Sequence, residues 1–137
     1  MLKRLLISLF FVVPTVINSD EILSESKVFV EKLGQEVVEK VSNSSISDAT
    51  RHENFKRLYL STFDNYYISR FVLGRYWKTL DKNLQKQFVR SFNKYIVATY
   101  APKFKGWEGT FKATDSLLEN NYYNVKMDIE NKDGPTL

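Results

Sequence analysis

This chain has no cysteine. Disulfide staples, thiol nucleophiles and cysteine-ligated metal sites are therefore excluded, and the core must hold the fold unaided. Histidine is almost as scarce: His52 is the single one, on a polar stretch with no second ligand nearby, and a surface role is the plainer reading. No glycine-rich phosphate loop, no Gly-x-Ser-x-Gly elbow and no metal-ligand cluster occurs. No apolar run reaches the roughly 20 residues of a membrane-spanning helix. Internal repeats and low-complexity tracts are absent too. The carboxylates are scattered, and only Asp64 sits among aromatics. As a first-turn acid it complements a helix dipole; as a catalytic base it is the sole candidate.

The 137 residues are enough for one domain and not two. The first nineteen read as a leader rather than as fold. Lys3 and Arg4 are followed by the apolar run Leu5–Val13, broken only by Ser8, and the chain turns polar from Pro14 to Ser19. That is the pattern of a secretory signal peptide over 1–19, with a mature domain over 20–137 and export to the periplasm. The cleavage site lacks Ala-x-Ala, and Ser19 is its best end; an uncleaved anchor is the other reading. Loss of Lys3 and Arg4 leaves eighteen bases against sixteen acids, about +2. So mild a charge on an exported chain points away from nucleic acid.

Aromatics are abundant: ten Phe, eight Tyr and two Trp. The spacing predicts an amphipathic helix over 24–41, with Val30, Leu33, Val37 and Val41 on one face. A polar break over 42–48 follows, and a second helix starts near Ser47 or Asp48, turning Phe55, Leu58 and Tyr59 inward. A third helix over 62–78 places Phe63, Tyr67, Phe71, Gly74 and Trp77 on one face. An interior glycine costs about 1 kcal/mol against alanine, so Gly74 is expected to meet a close neighbour. Asp81 caps a fourth helix whose buried arc is Leu84, Phe88, Phe92, Tyr95, Ile96 and Thr99, ended by Ala101-Pro102. The period then falls to 2. Residues 110–113 read as a short strand, and Tyr123, Val125, Met127 and Ile129 alternate with polar residues. Asn131-Lys132-Asp133-Gly134 signals a turn, and Pro135-Thr136-Leu137 begins a returning strand. The class is α+β.

Three features carry two readings each. Lys82, Lys86, Arg90 and Lys94 recur every four residues; they form a solvated helix face or a basic patch for anionic headgroups or an acidic partner. Lys103-Phe104-Lys105-Gly106-Trp107 interleaves bases and aromatics as single-strand binders do, which the leader argues against. The aromatic stripes at 71–77 and 88–100 either fill a core or line a cavity deep enough for acyl chains. Periodicity does not separate the last two.

The stretch Val72-Leu73-Gly74-Arg75-Tyr76-Trp77-Lys78, with Gln87-Phe88, Phe92, Tyr95, Thr99-Tyr100 and Gly109, resembles the MlaC family, also called the toluene tolerance family. The resemblance runs from about residue 20 to the end and is most specific over 71–109. It implies a carrier without catalytic residue, metal or cofactor, which shuttles phospholipid across the periplasm. The partners it implies are an inner-membrane lipid ABC transporter complex and an outer-membrane lipoprotein complex, and the role is to maintain outer-membrane lipid asymmetry. The implied fold is amphipathic helices on a twisted antiparallel sheet of the NTF2-like group, with acyl tails held between helices and sheet. Carried onto this chain, it puts Val72, Leu73, Tyr76 and Trp77 at the cavity or its supporting core. Phe88, Phe92, Ile96 and Tyr100 follow on the next helix, and Val125 and Met127 on the sheet. Family members continue with an aromatic-rich Trp-x-x-Tyr-Asp strand, a Gly-Val-Ser segment and a final helix. None is found here, so the expectation is a C-terminally shortened member with an incomplete sheet. An enzyme on the same scaffold, a membrane-anchored interaction protein, and a shortened chain that is inactive are the alternatives.

Overall fold

Four helices precede one β-hairpin in the computed structural model, which describes residues 19–132. The expected signal peptide, except Ser19, lies outside the described residues; so do Asp133-Gly134 and the returning strand from Pro135. Helix α1 spans Ser19–Val37 and carries Asp20 and Glu21 in its first turn, where acids complement the helix dipole. It runs directly into a π-helical turn, Val38–Ser42. The helix expected over 24–41 thus starts earlier and ends in a widened turn.

Arg51, on the next helix, accompanies that widening. Its guanidinium donates to the carbonyls of Val41, Asn43 and Ile46, and its side chain is 1% exposed. The carbonyls that a helix end leaves without partners are satisfied here by one buried cation. Val41 and Ser42 are buried against it.

Helix α2, Asp48–Thr62, is capped by Ser47, whose hydroxyl accepts from Thr50 N at 3.0 Å. Helix α3 is short, Asn65–Leu73, and is capped by Asp64, whose carboxylate accepts from Tyr67 N at 2.9 Å. Asp64 is therefore engaged as a cap. The third helix does not reach residue 78 as one piece. Gly74 ends it with φ +57° and ψ −129°, and a 3₁₀ segment, Gly74–Thr79, carries on. Gly74 is needed for this backbone conformation and not for a close neighbour, since an added Cβ would meet nothing within 4 Å. The change from 3.6 to about 3 residues per turn also rotates Trp77 away from the face expected to hold it. Trp77 is buried at 6% exposure, whereas Phe71 is 74% exposed, and Phe63 and Tyr67 are exposed with it.

Asp81 caps helix α4, Lys82–Tyr100, accepting from Leu84 N at 2.9 Å. Its expected arc is only partly covered: Phe88, Phe92, Ile96 and Thr99 are half-buried, Leu84 is exposed, and Tyr95 is 61% exposed. The residues α4 buries fully are Gln85 and Val97. Gln85 donates to the carbonyls of Trp77 and Leu80, at 3.0 and 3.2 Å, and so pins the 3₁₀ segment to α4. A second 3₁₀ turn, Ala101–Phe104, follows with Pro102 near its start.

Strands β1, Gly109–Glu119, and β2, Tyr122–Asn131, pair antiparallel through a two-residue turn. Asn120 and Asn121 supply its positive φ angles of 50° and 65°, as a type I′ turn requires. The strand expected over 110–113 runs on to Glu119, through a bulge between Ala113 and Asp115. The bulge shifts the alternation by one residue and hides the second half of the strand from a period-2 reading. Val125, Met127 and Ile129 are half-buried and their neighbours exposed, as alternation predicts; Tyr123 is exposed.

Helix α1 lies along β1. Ser26 and Ser116 hydroxyls bond at 2.8 Å, and Glu31 accepts from Ala113 N at 2.9 Å. Gly34 makes the close approach possible: an added Cβ would sit 2.5 Å from Phe111 Cβ. Among the described residues, the buried apolar side chains are Val41, Tyr59, Trp77, Val97 and Ala101. So few leave much of the apolar surface facing cavities and solvent.

Candidate functional site

Between α1, α2 and the hairpin lies an apolar pocket of about 290 Å³. Helix α1 supplies Val30, Leu33 and Val37 to it, at the three-to-four spacing that puts them on one face. Helix α2 supplies Phe55, Leu58 and Tyr59 from the same spacing. Phe111 and Met127 close it from the two strands. No carboxylate, amine or imidazole is among the lining side chains.

The wall is a chain of touching aromatic rings. Phe63 meets Tyr59 at 5.7 Å between centroids, Tyr59 meets Phe55 at 6.3 Å, and Phe55 meets Phe104 at 5.7 Å. Phe104 then meets Trp107 at 6.2 Å edge-on, and Trp107 meets Phe111 at 5.0 Å. These separations fall in the range where ring pairs attract beyond their area burial. Burial raises the Tyr59 phenol above its ordinary pKa, and its hydroxyl bonds to Asn93 Oδ1 at 3.2 Å.

Two exposed ion pairs fasten the segment that carries Phe104 and Trp107. Lys105 donates to Asp48 at 3.0 Å, joining the start of α2 to the turn after α4. That hydrogen bond, and the Lys105 charge behind it, lower the Asp48 carboxyl. At the hairpin base Lys132 donates to Glu108, lowering the carboxyl and raising the ammonium. The interleaved stretch 103–107 is thus absorbed into the fold. Its rings join the aromatic wall, Lys105 pairs with Asp48, and Lys103 sits 5.0 Å over the Tyr100 ring.

Of the residues expected at a lipid cavity, Tyr100 and Met127 line this pocket. Trp77 is buried elsewhere, under an edge-on contact with Tyr66 at 5.1 Å. Val72 and Tyr76 are exposed, and Leu73 is half-buried. Phe88 and Phe92 stack on each other at 5.8 Å on a half-buried face of α4, which Ile96 continues. Val125 is half-buried on β2. The α1 and α2 residues that do line the pocket were legible as inward-facing, but periodicity read them as core. Phe104 gave no periodic signal, and Phe111 read only as part of a short strand.

The basic residues separate as well. Arg90 and Lys94 line a groove of about 530 Å³ between α2 and α4, together with His52 and Lys56. Lys82 and Lys86 are exposed but outside it. A step of four residues advances a helix by about 40° beyond a full turn, so the stripe winds around α4. A third, wider cleft of about 760 Å³ separates the π-helical turn from the hairpin base and is lined by mixed polar and apolar groups. Among the described residues no helix is long and apolar enough to cross a membrane, and no three metal-ligating side chains cluster.

An apolar, aromatic-walled pocket between helices and sheet is the arrangement that the motif over 71–109 implies. Compared with known families, residues 31–137 match the model of the MlaC protein. The chain belongs to the MlaC family. No curated protein and no solved structure matches it. MlaC proteins are lipid-binding carriers, and membership makes phospholipid the ligand class of this chain. The match takes in α2 to β2 entirely and the last seven residues of α1, which covers the pocket lining from Leu33 onward.

Proposed function

We propose that this MlaC-family chain is a periplasmic phospholipid carrier, which passes lipid between inner- and outer-membrane complexes and so maintains outer-membrane asymmetry. The pocket walled by Phe55, Tyr59, Phe104 and Phe111 carries this reading. Its 290 Å³ lies near the lower limit of ligand pockets, about 300–1,000 Å³. At a liquid-water share of about 30 Å³ per small group, it has room for roughly ten methylenes. That is a stretch of one acyl chain, with the rest emerging past the exposed Phe63 and Tyr100. At about 0.8 kcal/mol per buried CH₂, ten would contribute roughly 8 kcal/mol before ordering costs. A pocket wall without carboxylate, amine or imidazole favours a carrier over an enzyme.

Native mass spectrometry of the exported protein, with lipid extraction, tests this. Bound phospholipid is expected in the folded wild type and is expected to fall sharply in Phe104→Asp. Phe92→Asp, on the α4 face outside the pocket, should retain it. A folded wild type with no extractable phospholipid refutes the carrier reading. Loss in Phe92→Asp with retention in Phe104→Asp moves the site to the α3–α4 face.

A further inference from the structure

We propose that the groove between α2 and α4 is a docking site for an acidic, amphipathic segment of a partner protein. Its apolar lining is the buried Val97 and the exposed Leu60, and basic side chains come from both helices that flank it: His52 and Lys56 on α2, Arg90 and Lys94 on α4. No acid lines it. Lys56 also pairs with Glu53 on α2, at 3.3 Å. Arg90 and Lys94 have no ion-pair partner among the described residues. The Tyr59–Asn93 hydrogen bond joins α2 to α4, with Tyr59 lining the apolar pocket and Asn93 this groove.

Shape and charge together select the occupant. A bilayer surface is flat and meets convex patches, whereas this site is concave and its cations come from both flanking helices. A free phosphate asks for convergent donors and gains nothing from an apolar lining. A segment with an apolar ridge flanked by Asp or Glu satisfies both lining and cations, and three or four residues of spacing on a helix produce that pattern. A volume of 530 Å³ accepts several inserted side chains rather than a whole helix, whose diameter is about 10–12 Å. The exposed cations steer the encounter over about 8 Å at physiological salt. This goes beyond the carrier reading and does not depend on it, because no lipid contact enters.

The test titrates the full chain with a synthetic peptide of about 18 residues, long enough to be helical. The peptide carries Leu at every third or fourth position, flanked by Glu, and binding is read by fluorescence anisotropy. The acidic peptide is expected to bind and to weaken with salt. Arg90→Glu with Lys94→Glu should lower its affinity by about tenfold or more, and Lys82→Glu with Lys86→Glu by less than about twofold. A Lys-flanked version of the peptide should bind the Arg90→Glu/Lys94→Glu chain better than the wild type, which a misfolded variant cannot do. Absence of binding by the acidic peptide overturns the proposal. Equal losses in the two double variants overturn it too, since they show diffuse net-charge attraction. So does failure of the charge swap. If phosphatidylglycerol vesicles, and not the peptide, respond to Arg90 and Lys94, the occupant is a bilayer and the proposal is wrong.

Discussion

Replacing Gly34 with alanine should change sign in its effect on stability according to what stands at position 111. The added methyl would lie 2.5 Å from Phe111 Cβ and 2.6 Å from Cδ2. The Cβ is at the root of the side chain, so rotating the ring does not relieve the clash. Either α1 lifts from β1 or the strand moves. Overpacking of this kind costs about 1–3 kcal/mol. Helix propensity works the other way, by about 1 kcal/mol in favour of alanine. Gly34→Ala should therefore destabilise the wild type by up to about 2 kcal/mol. In a Phe111→Gly background, which removes the Cβ as well as the ring, the crowding disappears and only propensity is left, so the same change should stabilise by roughly 0.5–1 kcal/mol. Urea unfolding of the four proteins gives the cycle directly, with a coupling of about 1–3 kcal/mol expected. Phe111 also walls the pocket, so Gly34→Ala should lower phospholipid retention alongside stability. An identical effect of Gly34→Ala in both backgrounds would show that α1 does not rest on Phe111, and the helix–strand packing described above would be wrong.

Gly74 should behave in the opposite manner. Its φ of +57° with ψ −129° strains any L-residue by about 1–3 kcal/mol, but nothing crowds it, so Gly74→Ala and Gly74→Leu should lower the melting temperature equally. A much larger loss for leucine would restore the close-neighbour reading. Arg51→Met should cost about 3 kcal/mol or more, because it leaves three carbonyls around the π-helical turn without their charged donor; an unchanged urea midpoint refutes the clamp. Asp48 is held below its ordinary carboxyl value by Lys105, so its contribution is present above the unfolded-state value and is lost as pH falls through the lower folded one. Acid titration of stability should therefore be shallower in Lys105→Met than in wild type below about pH 4, and parallel curves would show that the pair contributes nothing.

Much of the local structure is written in neighbouring residues. The caps at Ser47, Asp64 and Asp81 and the alternation over Val125, Met127 and Ile129 are decided within a few positions, because a cap or a pleat is a short-range event. The motif Leu73-Gly74-Arg75-Tyr76-Trp77 identified the MlaC family, and the change from helical spacing to period 2 marked the α+β class. The role of each glycine was not local. Gly74 looked like a packing glycine and serves a backbone turn; Gly34 carried no signal and makes the helix–strand contact. Arg51 carried no signal either, yet it is buried among three carbonyls that only folding brings to it. The same holds for the site. Periodicity shows which face of a helix is apolar, and hydrophobic burial has no direction of its own. It cannot say whether the opposite side holds side chains, a cavity or water. Tertiary structure made that choice by bringing one face each of α1 and α2 to Phe104, Phe111 and Met127, leaving a lined pocket where the sequence showed only apolar stripes.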